Sequence, residues 1–373
     1  MKIPVCEPFI GEAEKRYVND CLDSGWISQG HYVTEFEKQF SAFCECDYGV
    51  SCSNATTALH LAGIAIGLKP GDDVLVSSST NMASAFSMVY CGARPIPVDV
   101  YPDTWQLNPT LLEAALTPNT KAIMVVHLFG QPVDMDPVLA FAHKHNLKVI
   151  EDCAEAHGAR YKGRSVGSLG DIGCFSFYSN KIIACGEGGM LTTNNPIYAD
   201  IARDYKSFCF GKTEKFQHTG IGYNYRLPNL SAALGLGQLE RIHTILEKKE
   251  AIYQAYYHRL KDIPWLSIPV RQTFTQSVLW MFNLSLHPDY SLPQLRAKLF
   301  EAGIETREAF VPINQQNVFL EKGWVTLNQC PVSNHIMHTG FYLPSGITLT
   351  EDEIDTVCDT LVEGVYGTKL VPS

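Results

Sequence analysis

Strand and helix patterns alternate between residues 48 and 151, and this alternation limits the possible folds more than any other feature of the sequence. Such a repeat is typical of the α/β class, in which helices cover both faces of a mostly parallel sheet. Ligands of these sheets bind at the carboxyl ends of the strands. The strands are predicted at residues 48–51, 73–76, 94–98, 122–127 and 149–151, and the helices at 56–66, 82–91 and 135–145.

The length of 373 residues predicts a large domain and a smaller one. A long charged and aromatic helix over residues 247–260 would lead from one to the other. The segments after it predict a compact α+β unit, with strands over 278–286 and 303–310 and helices over 292–302 and 351–361. We therefore expect a large domain over residues 1–245, including an N-terminal helical segment, and a small C-terminal α+β domain over 246–373.

Composition excludes several classes of partner. The net charge of −10 argues against a nucleic-acid surface, which normally carries a basic excess. No apolar run reaches membrane-spanning length, and the N-terminal residues lack a signal-peptide pattern. The twelve scattered cysteines suit buried, reduced thiols, which predicts a cytoplasmic protein. Cys44 and Cys46 have no second Cys or His pair at zinc-like spacing, so we expect no metal site.

Lys181 lies in an unusually apolar segment. Phe175, Phe177, Ile182 and Ile183 surround it in sequence, and few surface lysines have such neighbours. Burial lowers the proton affinity of an amine, and a neutral lysine can form a Schiff base with an aldehyde. Pyridoxal phosphate (PLP) is the aldehyde that proteins most often hold in this way. A lysine that extends from a strand end into solvent without a function fits this segment equally well.

Three predicted strand ends carry polar residues. Residues 53–60 and 77–81 open helices with small hydroxyl and amide side chains, where a phosphate would fit but where an ordinary helix cap is also expected. Residues 151–157 place several acids after a buried strand. These carboxylates could serve a hydrolase, bind a metal or lie in a solvated loop. With Lys181 nearby in sequence, a carboxylate that keeps a pyridine ring protonated is a further interpretation.

A series of motifs runs in order along nearly the whole chain. Each motif alone is weak, but the complete series is specific, and the sequence resembles the DegT/StrS family of PLP-dependent sugar-nucleotide aminotransferases. The resemblance implies fold type I of the PLP-dependent transferases, with a mixed, mostly parallel sheet in the large domain. The motifs are Gly25-Trp26-Ile27-Ser28, residues 53–59, Pro132-Val133-Asp134-Met135, Glu151-Asp152 with Glu155, Gly167-Ser168-Leu169-Gly170-Asp171, residues 176–181 followed by Gly186-Glu187-Gly188-Gly189, residues 222–226, and Gly303-Ile304-Glu305 leading to Arg307.

The resemblance also implies a role for each matched residue. Lys181 would form the Schiff base with PLP and move a proton between substrate and cofactor, and Asp152 would pair with the pyridine nitrogen. Asn81 stands where an aromatic residue often stacks on the ring, so that face needs another cover or leaves room for substrate. The remaining cofactor-binding residues would be Ala55, Thr56 and Ser176 at the phosphate, Glu155 at the phenolic oxygen, and Asn224 from the neighbouring subunit of a homodimer with shared active sites.

The substrates are implied in the same way. L-Glutamate would give its amino group and leave as 2-oxoglutarate, with the cofactor cycling through pyridoxamine phosphate, and a nucleotide-linked keto sugar would accept the nitrogen. Residues 127–130 and 178–183 are most similar to the branch that aminates C4 of GDP-4-keto-6-deoxymannose for polysaccharides such as O-antigen. Candidates for holding the sugar or diphosphate are Trp26, Arg226, Arg307 and the loop 206–215, although each arginine is nearly as well explained by a surface ion pair.

Two other functions stay open at this level. One is an aminotransferase acting on a UDP- or dTDP-linked 3- or 4-keto sugar, or on a free keto sugar acid. The more distant one is a non-catalytic, Rossmann-like binding or regulatory protein, which the combination of lysine, acid and phosphate-binding turn disfavours.

Overall fold

A seven-stranded mixed sheet lies at the centre of the computed structural model, which describes residues 3–211, 214 and 216–370. Two smaller sheets accompany it. The strands are β1 (Tyr48–Cys52), β2 (Asp73–Ser77), β3 (Arg94–Val98), β4 (Thr120–Val126), β5 (Lys148–Asp152), β6 (Arg160–Tyr161), β7 (Arg164–Ser165), β8 (Ile172–Ser176), β9 (Gly189–Thr193), β10 (Leu266–Ser267), β11 (Thr275–Gln276), β12 (Phe282–Leu286), β13 (Arg307–Glu308) and β14 (Gly340–Leu343).

The central sheet has the order β1-β9-β8-β5-β4-β2-β3. Five neighbouring strands of this sheet, β3, β2, β4, β5 and β8, pair in parallel. Strand β9 runs antiparallel to both β8 and β1. Parallel strands need crossover connections, and helices supply them here. The predicted α/β class with a mixed, mostly parallel sheet is therefore confirmed.

Helices cover both faces of this sheet, because its strands are apolar on both sides and need two apolar layers. Phe36 and Phe40 belong to the cluster on one face, and Leu59 and Met88 to the cluster on the other. The helices are α1 (Glu12–Ser24), α2 (His31–Phe43), α3 (Ala55–Ala65), α4 (Met82–Tyr90), α5 (Leu112–Ala115), α6 (Met135–His145), α7 (Pro196–Tyr205), α8 (Asn229–Glu240), α9 (Ile242–Leu260), α10 (Leu292–Glu301), α11 (Asn317–Leu320), α12 (Pro331–Thr339) and α13 (Glu351–Val365).

The C-terminal part forms its own four-stranded antiparallel sheet, in the order β10-β12-β14-β13. Helices α9, α10 and α13 contribute to a separate apolar cluster against it, and the N-terminal residue Ile3 joins that cluster through a bridge to Ile304. The expected domain division after residue 245 falls inside α9 and stays a prediction. No helix in the described part of the chain combines the length and the apolar character needed to cross a membrane.

Three local predictions differ from the structure. The sequence over 231–245, rich in Ala, Gly and Leu, predicts one helix. This helix ends early in the structure, because the backbone leaves helical geometry at Arg241, and α9 begins directly after it. The strand predicted over 303–310 is reduced to β13. Helix α12 was not predicted from the sequence; Asp99 accepts hydrogen bonds from two backbone N–H groups at its start, an interaction that joins residues far apart in the chain.

Candidate active site

One cavity of about 440 Å³ lies where the ends of β4, β5 and β8 meet the N-termini of α3 and α4. Residues of the C-terminal sheet and its flanking loops close the other side. This position agrees with the expectation that ligands bind at the carboxyl ends of parallel strands. The cavity brings together seven of the predicted site residues: Ala55, Thr56, Asn81, Asp152, Glu155, Ser176 and Lys181.

Lys181 lies in the loop between β8 and β9, and turns on either side hold it there. Its backbone N–H donates to the carbonyl of Tyr178 at 2.9 Å, and the following residues Ile182 and Ile183 are buried. The Nζ atom lies 3.5 Å from a carboxylate oxygen of Glu155, and only 11% of the side chain is exposed. Burial lowers the pKa of Lys181 below its ordinary value, while the carboxylates of Glu155 and Asp152 oppose that change.

Asp152 ends β5 with its side chain buried in the cavity wall. Its two oxygens accept hydrogen bonds from the Ser84 hydroxyl at 2.7 Å and from the Ala154 N–H at 3.1 Å. Burial raises the pKa of Asp152, and these two donors act in the opposite direction. A buried carboxylate of this kind is stabilised further by a cationic partner.

Glu155 faces Lys181 from the loop after β5. One oxygen accepts the Phe129 N–H at 2.8 Å, and the other faces Nζ of Lys181. Burial raises the pKa of Glu155 to about 7, against the lowering effect of Lys181 and the Phe129 N–H. Burial thus favours the neutral forms of both partners, which makes the amine of Lys181 easier to deprotonate than an exposed lysine.

The first turn of α3 presents backbone donors to the cavity. The Asn54 side chain accepts from Thr57 N–H at 3.0 Å, while the N–H groups of Ala55 and Thr56 have no acceptor among the described residues. The sequence predicted either an ordinary cap or a phosphate site here, and the structure shows the Asn54 cap together with two N–H groups that no described residue accepts. Unpaired N–H groups at a helix N-terminus favour a bound anion.

Gly189 sets the position of this turn. It pairs with Ser176 across β8 and β9 and with Cys52 across β1, and it packs directly against the start of α3. A Cβ atom at Gly189 would lie 2.4 Å from the Asn54 carbonyl and 2.8 Å from the Ala55 nitrogen, both of which are backbone atoms. The close contact brings the N–H groups of α3 beside the Ser176 end of β8, and it explains the second glycine of the Gly188-Gly189 pair.

Glu151 is fully buried behind the cavity and supports it. Its oxygens accept the N–H groups of Gly167, Leu169 and Gly170 at 2.7–2.9 Å, and His127 Nε2 lies 3.0 Å away. Because His127 Nδ1 accepts the Val133 N–H, Nε2 carries the proton and donates to Glu151. The 167–171 motif therefore serves to surround this carboxylate. The backbone N–H of His127 donates to the Asp152 carbonyl at 3.0 Å, so the network fixes the end of β5.

Replacing Glu151 with Gln should lower the free energy of unfolding by about 3–5 kcal/mol, because an amide cannot accept all of these buried donors. Thermal unfolding followed by circular dichroism measures the change. Glu113→Gln, which alters an exposed ion pair with Lys144, is the control and should have little effect. Equal melting temperatures for the two variants would contradict this role of Glu151.

Four predicted site residues do not line this cavity. Trp26 is 69% exposed, as expected for its loop, and Arg307 forms an exposed ion pair with Glu305. Arg226 donates to the side-chain oxygen of Asn224, whose own position is exposed. For both arginines, a surface contact within the chain is the arrangement observed.

The candidate loop 206–215 lies largely outside the cavity as well. Lys206 is buried and donates to Glu37 and to the Ser51 carbonyl, each at 2.8 Å, so its amine is already paired. Residues 212, 213 and 215 of this loop lie outside the described residues. His157 is buried between Phe40 and Phe175, and burial lowers its pKa to about 3.

The aromatic side of the cavity was not predicted from the sequence. Trp280, Phe310 and Tyr342 line it from the C-terminal part of the chain, opposite the sheet. Asn81 is not aromatic, so another group was expected to cover that face of the PLP ring. These three residues are candidates for that cover. Their only sequence signal was an apolar, aromatic composition that equally suits a buried core.

Comparisons with known proteins identify the family of this chain. The family model "DegT/DnrJ/EryC1/StrS aminotransferase family" matches residues 8–362. The chain belongs to this family. The chain is also similar to a GDP-perosamine synthase of Caulobacter vibrioides, 40% identical with coverage of 96% of this chain and 97% of the relative, and to one of Escherichia coli O157:H7, 38% identical with coverage of 97% and 98%.

Solved structures of family members show the same fold. A putative sugar aminotransferase from Streptococcus pneumoniae in its PLP-form has a TM-score of 0.93 and 25% identity, covering 98% of this chain and 99% of that one. The same protein has also been solved in PMP (pyridoxamine phosphate) and apo forms. The chain is thus a PLP-dependent sugar aminotransferase of fold type I, as the sequence predicted.

The residues of the cavity fit PLP. The unpaired N–H groups of Ala55 and Thr56 suit the phosphate, and the buried carboxylate of Asp152 has the charge that a protonated ring nitrogen needs. Lys181, a buried amine whose pKa burial lowers, suits the aldehyde. Glu155 lines the same cavity, where its carboxyl group could face the phenolic oxygen, and the cavity of about 440 Å³ is within the range of small-molecule sites.

Replacing Gly189 with Ala should raise the dissociation constant for pyridoxamine phosphate by about 10- to 10²-fold. The added methyl group would displace the start of α3 and with it the donors that suit the phosphate. Titration of the cofactor-free chain measures the change. Gly364→Ala in α13 is a matched control, because its Cβ meets only side-chain atoms, of Leu295 at 3.2 Å and of Lys298 at 3.9 Å. An unchanged affinity of Gly189→Ala would show that this turn does not bind the phosphate.

Proposed function

We propose that this aminotransferase moves the amino group of L-glutamate to C4 of GDP-4-keto-6-deoxymannose, the activity expected of a GDP-perosamine synthase. The observation that carries the catalytic part is Lys181, a buried amine 3.5 Å from Glu155 in a cavity that also contains Asp152 and the N-terminus of α3. The choice of sugar nucleotide is supported by the 38–40% identity to two GDP-perosamine synthases over nearly their full lengths.

In this proposal each polar residue of the cavity has one task. When bound, PLP supplies a carbonyl carbon that can carry the amino group and a ring that accepts electrons from the substrate C–H bond. Lys181 holds the aldehyde carbon and, once its amine is free, takes the proton from the substrate carbon and returns it on the opposite stroke. Asp152 keeps the ring nitrogen protonated, Glu155 accepts from or shares a proton with the phenolic oxygen, and Ala55, Thr56 and Ser176 bind the phosphate.

The aromatic residues Trp280, Phe310 and Tyr342 would exclude water from the reacting atoms, because they form an apolar wall of the cavity. The sugar and diphosphate would occupy its open side. Trp26, Arg226 and Arg307 remain candidates for that contact, although in the single chain each is exposed or paired elsewhere.

A homodimer with shared sites belongs to the same proposal. Asn224 is exposed and does not line the cavity of its own chain, which is consistent with a contact to the phosphate of a neighbouring subunit. Tyr223 and Tyr225 on either side of it stack on each other at 4.8 Å and pack on His60, so Asn224 lies on a well-supported segment.

Mixing two inactive variants tests the shared site. Lys181→Ala and Asn224→Ala chains, unfolded together and refolded, should regain activity, because a mixed dimer contains one site with both residues intact. Each variant refolded alone is the control. Mixed dimers without activity would contradict the contribution of Asn224 to a partner site.

Half-reactions with separate sugars test the substrate. The protein is first converted with L-glutamate to its pyridoxamine phosphate form, freed of excess glutamate and offered one keto sugar nucleotide at a time. Return of the original visible spectrum should be fastest with GDP-4-keto-6-deoxymannose. A faster return with a UDP- or dTDP-linked keto sugar would assign the enzyme to another substrate while leaving the aminotransferase chemistry intact.

A further inference from the structure

The indole ring of Trp280 lies directly against the amine of Lys181. The distance from Nζ to the ring centroid is 3.9 Å, which is well within the range of a cation–π contact. Trp280 is 2% exposed and lies just before β12, in the C-terminal part of the chain. A contact between two buried groups this distant in sequence depends on how the small sheet packs on the large one.

Hydrogen bonds hold Trp280 from two sides. Its Nε1–H donates at 3.0 Å to the carbonyl of Asn180, the residue before Lys181. The buried amine of Lys249 donates to the Trp280 carbonyl at 3.0 Å and to the Ser345 carbonyl at 2.6 Å. Both the ring and the backbone of Trp280 are therefore fixed relative to the lysine.

The same aromatic layer also fixes the carboxylate that faces Lys181. The ring of Phe129 stacks on Trp280 with centroids 5.5 Å apart, and the N–H of Phe129 donates to Glu155 at 2.8 Å. The amine of Lys181 thus lies near the Glu155 carboxylate and the Trp280 ring, and Phe129 contacts both of these groups. Each of these groups attracts an ammonium ion more strongly than a neutral amine.

We propose that Trp280 is a positioning residue whose ring face holds the amine of Lys181 whenever that amine is not joined to the cofactor. The indole attracts the protonated amine and keeps it near the cavity without adding another carboxylate to those of Glu155 and Asp152. This inference rests on the proposed function, since only a lysine that is repeatedly freed during turnover needs such a position.

Other charges also act on this amine. Glu155 and Asp152 favour its protonated form, as does the Cys6 thiol when ionised, whereas burial disfavours it. His157, buried nearby, is itself kept neutral by burial and by Lys181. A test of Trp280 must therefore leave the volume of the cavity and these groups unchanged.

Fluorinated tryptophans incorporated only at position 280 meet this requirement. Each fluorine withdraws electron density from the ring face, while the shape of the indole and its N–H donor are nearly retained. Trace acetylation of the full-length, cofactor-free chain, followed by peptide mass spectrometry, gives the pH midpoint at which Lys181 becomes reactive. The exposed Lys121 is the internal reference, and the same substitution at Trp265 is the matched control.

The midpoint for Lys181 should fall stepwise from the native indole to the tetrafluoro form, by about 0.5 to 1.5 pH units in all. Glu155→Gln, which removes a charge facing the same amine, should also lower it and calibrates the assay. A midpoint that stays constant or rises across the fluorinated series would overturn the proposal and leave Trp280 a space-filling residue. Lys181 that reacts equally fast with PLP bound would contradict the proposed function instead, whatever the fluorinated series gives.

Discussion

Replacing Lys181 with Ala is expected to lower kcat by about 10²–10⁴-fold, the contribution typical of a positioned acid–base group. The variant should also lose the covalent bond to PLP while still binding the cofactor, because the donors at the start of α3 and the carboxylate of Asp152 remain. Steady-state kinetics and the visible spectrum measure the two effects separately.

Chemical rescue distinguishes this role from a structural one. A small primary amine such as methylamine should enter the space left by the lysine and restore part of the rate, with a dependence on the free-base concentration. Lys121→Ala, at an exposed position of β4, is the control and should leave kcat unchanged. Full activity of Lys181→Ala, or loss of activity through unfolding alone, would contradict the assignment.

Replacing Asp152 with Asn should lower kcat by roughly 10²-fold while the fold and the attachment to Lys181 are retained. The amide can still accept the Ala154 N–H and donate to the Ser84 hydroxyl, so the packing around it is preserved. It cannot supply the charge that keeps a ring nitrogen protonated, and the loss of such a charged hydrogen bond costs about 1.5–3 kcal/mol. Single-turnover kinetics with glutamate measure the loss in one proton-transfer step.

A cofactor with a permanent charge tests the reason for that loss. PLP methylated on its ring nitrogen should restore part of the rate of Asp152→Asn, because the charge no longer depends on the carboxylate. Asp136→Asn, which changes an exposed ion pair with Lys162, should behave as the unmodified protein. Asp152→Asn that binds the methylated cofactor without any gain in rate would show that Asp152 acts in another way.

The sheet side of the site could be predicted because its residues occur at strand ends. Asp152 follows β5 directly, and Ala55 and Thr56 open the helix after β1, so the alternation of strands and helices placed them at one edge. Lys181 could be selected because apolar neighbours are rare around a surface lysine. The family resemblance then supplied a single chemistry for the three features.

The other side of the cavity could not be predicted, because it depends on packing between distant segments. Trp280 contacts Lys181, although about a hundred residues separate the two in the sequence. The residue pattern around Trp280 is the same as that of an ordinary buried strand. The break at Arg241 was missed for a related reason, since helix-forming residues continue on both sides of it. The need for glycine at position 189 could not be predicted either, because it depends on the close packing of β9 against the start of α3.

Borohydride reduction followed by peptide mapping tests the central claim most directly, because it fixes PLP irreversibly to the lysine that holds it. The account predicts that a single peptide containing Lys181 carries the phosphopyridoxyl mass, and that glutamate added before the reduction prevents the labelling. A label on a different lysine, or a protein that binds PLP and yields no label, would contradict it.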